Sequence, residues 1–220
     1  MRSGSLRALL LRIRDHASRI RDHVTHDNLP RDPVTQPVLH PATILKYSRE
    51  MMAGLTYLHE NNIIHRDLRA ANVLISSANT AKLSDFGLSK KLEQVARIPG
   101  DYTPDLGNPF WRSPESIMND DCGPAVDVWS FGITVLEMVY VDPPFMKQET
   151  FRYMYALYRH RHVPEIPTFV DSRIREILRK SLQYSPQDRA LAAELLDLIE
   201  GMMGESLSSD QLNNVSIQNC

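Results

Sequence analysis

His65-Arg66-Asp67-Leu68-Arg69-Ala70-Ala71-Asn72 is followed, thirteen residues after the Asn, by Asp85-Phe86-Gly87. An isolated Asp-Phe-Gly occurs in many turns by chance, but its combination with His-Arg-Asp-x4-Asn at this distance is a specific pattern. Phosphoryl transfer needs polar groups that converge on one phosphate, and Asp67, Asn72 and Asp85 supply three such groups. The stretch therefore decides which fold to expect.

The same stretch resembles the catalytic loop and metal-binding turn of eukaryotic protein kinases. The resemblance implies that Asp67 orients the substrate hydroxyl, with Arg69 in the same catalytic set, while Asn72 and Asp85 hold Mg²⁺ on ATP. It also implies that Leu74 forms a floor under the adenine. The expected fold is mostly α: a protein-kinase-like C-terminal lobe with a few short β-strands.

The smaller N-terminal β lobe of that family is expected to be missing. No Gly-x-Gly-x-x-Gly loop and no Val-Ala-x-Lys strand precede the catalytic loop, although both belong to a full kinase domain. We therefore expect residues 1–203 to form the large lobe alone, too little to bind ATP firmly or to transfer phosphate unaided, with a flexible tail over residues 204–220. The chain would be a fragment whose upper face, around Leu74 and Phe86, is exposed.

Composition bounds the class of protein. The chain has 220 residues, of which 42% are hydrophobic, so we expect one domain with one core. Only two cysteines are present, which predicts no disulfide framework and a cytoplasmic, reducing compartment. The sequence contains no apolar run of about eighteen residues, so no membrane span is predicted.

An amphipathic helix is predicted over residues 6–24. Its apolar positions follow steps of four and three residues, at Leu6, Leu10, Ile13, Ala17, Ile20 and Val24. Its arginines lie off this stripe, which is typical of a solvated helix face, although a helix-mediated partner remains an alternative. The segment lacks the interleaved aromatic residues of a nucleic-acid surface, so no nucleic-acid partner is expected.

Turn residues and periodicity divide the rest of the chain. Residues 28–41 carry four prolines and are expected to form an exposed, insertion-like loop. A helix should begin at Pro41, and a mobile activation segment should run from Asp85 to Glu115. The other expected elements are strands at 73–75 and 81–83, a helix that ends near Tyr140, and helices at about 147–160, 170–183 and 187–203.

The kinase resemblance also implies structural and regulatory roles. Glu115 and Arg189 should form a buried ion pair, and Asp127 should accept backbone hydrogen bonds from the catalytic loop. His65 and Phe86 should be packing residues rather than catalysts. Arg66 should reach a phosphate on the activation segment, placed on Tyr102 or Thr103.

The expected substrate is a protein, but the residue type is left open by two positions. Ser/Thr kinases usually carry Lys and Thr where this chain has Arg69 and Asn108. Arg69 to Asn72 resembles one branch of tyrosine kinases, whereas residues 107–111 resemble the tyrosine-kinase-like group. Ser/Thr or dual specificity is the prediction, and a non-catalytic, pseudokinase-like scaffold that binds substrates or regulators is the alternative.

Overall fold

The computed structural model describes residues 4–24, 38–92, 108–118, 123–143 and 150–217, without the side chains at 17–24, 150, 151, 153, 154, 158 and 205–217. The loop predicted over residues 28–41 lies outside the described residues except for 38–41. Tyr102 and Thr103 lie outside them as well.

The described residues are mainly helical, as the sequence predicts. The helices are α1 (Leu6–Val24), α2 (Pro41–Glu60), α3 (Pro114–Ile117), α4 (Ala125–Tyr140), α5 (Thr150–His160), α6 (Ser172–Ser181) and α7 (Ala192–Ile217). The short strands are β1 (Gly4–Ser5), β2 (Ile63–Ile64), β3 (Val73–Ile75), β4 (Ala81–Leu83) and β5 (Lys90–Lys91). Single 3-10 turns occupy Ala70–Asn72, Pro109–Trp111 and Pro186–Asp188.

Two small antiparallel sheets flank the loop between β2 and β3. One has the order β1-β3-β4, in which Leu74 lies opposite Ser5 on one side and Lys82 on the other. The second pairs β2 with β5. The predictions for β3 and β4 are confirmed, whereas β1 is not predictable because two residues are too few to show an alternating pattern.

Helix α4 is the centre of the core. Every residue from Val126 to Val139 is buried, so this helix is surrounded by protein along most of its length. Gly132 permits a close approach, since a Cβ at this position would lie 2.8 Å from the side chain of Leu182. The sequence thus places a glycine where α4 meets the end of α6.

Helix α1 is part of this core rather than a cover for the upper face. Leu6 and Leu10 are completely buried, while Arg12 is exposed, as the predicted stripe requires. Leu74 and Phe86 remain 46% and 49% exposed. The upper face is therefore open in the described structure, and α1 does not cover these two side chains.

The main difference from the predicted elements concerns α7. The sequence predicts a helix over about 187–203, but residues 186–188 form a 3-10 turn and α7 runs from Ala192 to Ile217. The domain boundary expected at residue 204 therefore falls within a helix, and the flexibility of residues 204–220 stays a prediction. Within the described ranges, no helix has both the length and the apolar character that crossing a bilayer requires.

Candidate active site

One buried carboxylate on α4 holds the backbone of the loop after β2. The two oxygens of Asp127 accept hydrogen bonds from the N–H groups of His65, at 2.8 Å, and Arg66, at 2.7 Å. Nε2 of His59 lies 2.9 Å from the oxygen that His65 also contacts. Arg66 has a φ of 68°, which non-glycine residues seldom adopt. Asp127 therefore fixes a turn that the loop sequence would not favour by itself.

The three residues predicted to form the catalytic set come together after this turn. Nδ2 of Asn72 donates to Oδ2 of Asp67 at 2.7 Å and to the Asp67 carbonyl at 2.8 Å. Nε of Arg69 lies 3.7 Å from the other carboxylate oxygen. The Asp67 carboxylate is thus held on one side by an amide and on the other by a guanidinium group, which fixes its orientation.

Asp85 is joined to this set through its neighbour Ser84. The N–H and the hydroxyl of Ser84 both donate to the Asn72 carbonyl at 2.9 Å. The Asp85 side chain is exposed, its φ is 62°, and one of its oxygens accepts from the N–H of Gly87 at 3.3 Å. The loop and the turn are therefore linked through the backbone.

The donor set fits Mg²⁺ bound together with a phosphate. Asn72 directs its Nδ2 to Asp67, so its amide oxygen is the atom left to act as a ligand, and Asp85 adds a carboxylate. Mg²⁺ is usually held by one or two carboxylates plus substrate phosphates and water. Among the described residues, no group of three or more His, Cys, Asp and Glu side chains is placed to hold a metal.

Two hydrogen bonds fix the orientation of the His65 ring. Its Nδ1 accepts from the N–H of Asp67 at 3.3 Å, so the proton belongs on Nε2, which lies 3.1 Å from the Ser84 carbonyl. Its ring is completely buried, and the Phe86 ring lies 5.2 Å away at an angle of 58°. Both ring nitrogens are occupied, so the imidazole packs and spaces the loop rather than facing a substrate.

Glu115 and Arg189 meet in the interior. Nη2 of Arg189 donates to one carboxylate oxygen at 2.7 Å, and Nη1 donates to the other at 2.5 Å. The remaining guanidinium hydrogens go to the carbonyls of Gln183, Ala125 and Tyr184, at 2.7, 3.0 and 3.0 Å. All five N–H donors of the guanidinium are satisfied. This pair ties the start of α3 to the turn before α7.

Glu137 is a site residue that the sequence reasoning missed. Its Oε2 accepts from the N–H of Ala70 at 2.9 Å and from Nε1 of Trp111 at 2.8 Å. Burial raises its pKa to about 7, although these two donors and Arg7 act in the opposite direction. The signal available in the sequence was one acid inside the apolar run of α4. Glu137 joins the catalytic loop to the loop before α3.

That second loop is fixed to α4 at another point. Asn108 accepts from the N–H of Phe110 at 3.2 Å and so caps the 3-10 turn, and the Ser130 hydroxyl donates to the Trp111 carbonyl at 2.8 Å. Leu74 lies apart, half-exposed on β3. The interaction expected between Arg66 and Tyr102 or Thr103 lies outside the described residues.

A family model for the protein kinase domain matches residues 12–198, which include Asp67, Asn72 and Asp85. The chain belongs to the protein kinase family. The kinase fold thus accounts for the arrangement of both loops around α4, and the family resemblance read from the catalytic loop is confirmed. Assignment to the tyrosine-kinase-like group is a finer statement that this match does not contain.

Individual kinases show the same relationship. The chain is 36% identical over 155 residues to the mitogen-activated protein kinase kinase kinase YODA of Arabidopsis thaliana, covering 70% of this chain and 17% of that protein. It is 37% identical over 151 residues to the human mitogen-activated protein kinase kinase kinase 3, covering 69% and 24%. The serine/threonine-protein kinase STE20 of Eremothecium gossypii is 36% identical over 168 residues, covering 75% and 17%. The chain therefore matches less than a quarter of each relative.

Proposed function

We propose that this chain supplies the catalytic and substrate-binding lobe of a protein kinase that transfers the γ-phosphate of ATP to Ser or Thr hydroxyls of a protein. The observation that supports this most directly is the Asp67 carboxylate, held at 2.7 Å by Asn72 and at 3.7 Å by Arg69. A carboxylate held in this way accepts a hydrogen bond from a substrate hydroxyl and orients that oxygen toward a phosphate.

The other predicted residues have complementary roles in this proposal. Asn72 and Asp85 hold the metal, and Leu74 supports the nucleotide base. The expected cofactors, ATP and Mg²⁺, would supply the phosphoryl group and neutralise its charge. Arg66 reaches a phosphorylated Tyr102 or Thr103 and so orders the activation segment.

Ser/Thr specificity is favoured by the relatives, because STE20 is described as a serine/threonine-protein kinase. The tyrosine-kinase-like group is suggested by residues 107–111, whereas Arg69 to Asn72 resembles one branch of tyrosine kinases, and assignment to the group stays a prediction. Cytoplasmic location stays a prediction as well.

The test uses a protein in which this lobe is joined to an N-terminal kinase lobe. Asp67→Asn should reduce kcat by about 10²- to 10⁴-fold, with little change in ATP affinity, because it removes the acceptor for the hydroxyl proton. Asp85→Asn should weaken Mg²⁺-dependent ATP binding as well, since it removes a metal ligand. Asp197→Asn on the exposed face of α7 is the matched control. Equal turnover by Asp67→Asn and the parent would contradict the assignment.

We also propose that the chain alone has no kinase activity. Leu74 is 46% exposed and Asp85 is exposed, so a nucleotide held by these residues would remain largely in water. Electrostatic catalysis weakens in such a solvated site. Purified chain with labelled ATP, Mg²⁺ and a generic protein substrate should incorporate no more phosphate than its Asp67→Asn variant does.

A second candidate is a non-catalytic scaffold, favoured by a difference between the two halves of the site. The loop from Asn108 to Glu115 is largely buried and hydrogen-bonded to α4, whereas Leu74 and Asp85, two of the residues expected to bind the nucleotide and its metal, are exposed. A scaffold would bind its protein partner equally well with Asp67→Asn, and restoring an N-terminal lobe would give no phosphoryl transfer.

A further inference from the structure

The residue that ends α4 has a backbone conformation which its side chain disfavours. Val141 has a φ of 75° and a ψ of −49°, and its side chain is buried. This combination lies near the γ-turn conformation of positive φ, which is rare and strained, and a β-branched residue with a positive φ is an outlier. Strained conformations of this kind persist only where the surroundings hold them.

Helix α1 provides the contacts that hold Val141. Nη1 of Arg7 donates to the Val141 carbonyl, and Nη2 donates to Oδ1 of Asp142 at 2.6 Å. Nη1 of Arg14, two turns further along α1, lies 3.6 Å from the other oxygen of Asp142. Rotation of Val141 to a negative φ would redirect both its carbonyl and Asp142. These contacts with α1 therefore favour the strained conformation.

The same arginine lies next to the buried carboxylate described above. Nη1 of Arg7 is 3.8 Å from Oε1 of Glu137, whose other oxygen accepts from Ala70 and Trp111. The N–H of Val141 also donates to the Glu137 carbonyl at 2.7 Å. One guanidinium group thus contacts both the end of α4 and the residue that joins the catalytic loop to the loop before α3.

We infer that Arg7 is a latch through which the docking of α1 holds Val141 in its strained conformation and keeps Glu137 in place beneath the two loops. Lifting α1 from the core releases Val141 to an ordinary backbone conformation and removes the cation beside Glu137. Arg7 is a positioning residue, and its action does not depend on phosphoryl transfer. The exposed face of α1 is then a place from which a bound protein would alter the active site.

Hydrogen exchange in the full chain tests the first half of this inference. Arg7→Ala should accelerate exchange at the amide of residue 141 by about tenfold or more, because the strained state loses its main support. After correction for intrinsic rates, the same substitution in a Val141→Gly background should change exchange by less than about threefold, since Gly adopts a positive φ without strain.

Arg12→Ala is the matched control, because Arg12 is exposed on the same helix and its removal changes the charge equally. Arg7 lies in the first turn of α1, where the helix dipole disfavours a cation, so Arg7→Ala should not weaken α1 itself. The latch is overturned if Arg7→Ala accelerates exchange at residue 141 equally in the parent and in the Val141→Gly background. It is also overturned if Arg7→Ala accelerates that exchange no more than Arg12→Ala does. If Arg7→Ala does not fold, Arg7→Lys serves, because the single nitrogen of an ammonium does not reproduce the two separate donors, Nη1 and Nη2, that contact Val141 and Asp142.

The indole N–H signals test the second half. The chain has two tryptophans, so their signals in an NMR spectrum are readily assigned. Arg7→Ala should shift the indole signal of Trp111, because that N–H donates to Glu137. The Trp129 signal should stay unchanged, because that ring lies under the Arg189 guanidinium and not beside Glu137. Faster exchange at residue 141 with an unmoved Trp111 signal would show that the latch does not reach Glu137.

Discussion

Arg189→Ala should strongly destabilise the chain, with no nucleotide or partner present. The side chains of Arg189 and Glu115 are 0% and 5% exposed, so water does not screen their interaction. Removing one partner of a buried pair costs about 3 to 5 kcal/mol, because the remaining charge is left without compensation. Three main-chain carbonyls would also lose their donors. The loss caused by Arg189→Ala is therefore a large share of the free energy of unfolding expected of one domain.

The chain offers a matched control on its surface. Arg49 and Glu200 are 2.9 Å apart, but both side chains are 46% exposed. Such a pair is worth about 0.2 to 1 kcal/mol, so Arg49→Ala should have a small effect. For a domain of this size, 1 kcal/mol shifts the melting temperature by roughly 2 to 4 °C. Arg189→Ala should thus lower it by roughly 6 to 20 °C and Arg49→Ala by less than about 4 °C.

The assay is thermal unfolding followed by far-UV circular dichroism, with urea unfolding as a second measurement. The double variant Glu115→Leu/Arg189→Met should lose less stability than Arg189→Ala, since an apolar replacement of both partners leaves no buried charge. The reasoning is refuted if Arg189→Ala and Arg49→Ala have the same melting temperature. It is also refuted if the double variant loses as much stability as Glu115→Leu and Arg189→Met lose together when each is made alone.

Two further predictions concern α4. Burial raises the pKa of Glu137 from 4.5 to about 7, so folding favours the protonated acid, and the free energy of unfolding should fall by up to about 3 kcal/mol as the pH rises across that window. Glu137→Gln should lack this part of the pH dependence in urea titrations at pH 5 to 8. Equal slopes of the free energy of unfolding against pH in the parent and in Glu137→Gln would contradict the prediction. Gly132→Ala should cost about 1 to 3 kcal/mol, because its Cβ would overlap Leu182, whereas Gly201→Ala on the exposed face of α7 should be neutral or stabilising. A higher urea midpoint for Gly132→Ala than for the parent would show that the helices separate freely.

Elements with a clear period are predictable from the sequence. The stripe from Leu6 to Val24 predicts α1, and the short apolar runs at 73–75 and 81–83 predict β3 and β4. Local spacing also predicts that Asp67 and Asn72 lie close together, because only four residues separate them. In each case the residues that determine the structure are close together in the sequence.

The missed features depend on residues far apart in the chain. Glu137 has its partners at Ala70 and Trp111, and no local pattern shows which donors an acid in a buried helix will meet. Val141 departs from its local preference because Arg7, near the other end of the described chain, holds it. The predicted end of α7 is too early because the serines after residue 205 suggest a frayed tail, although serine is tolerated within helices.

Helix α4 also determines how far the catalytic loop and the loop before α3 can move relative to each other. Asp127 and Glu137 lie ten residues apart, or about 15 Å along the helix axis, and they hold opposite ends of the catalytic loop at Arg66 and Ala70. Glu137 holds Trp111 as well. One helix therefore sets the positions of both loops. If α4 moves relative to the rest of the protein, both loops move with it, and the distance between them does not change. That distance therefore depends on a few short hydrogen bonds to α4 and not on the rigidity of the whole molecule.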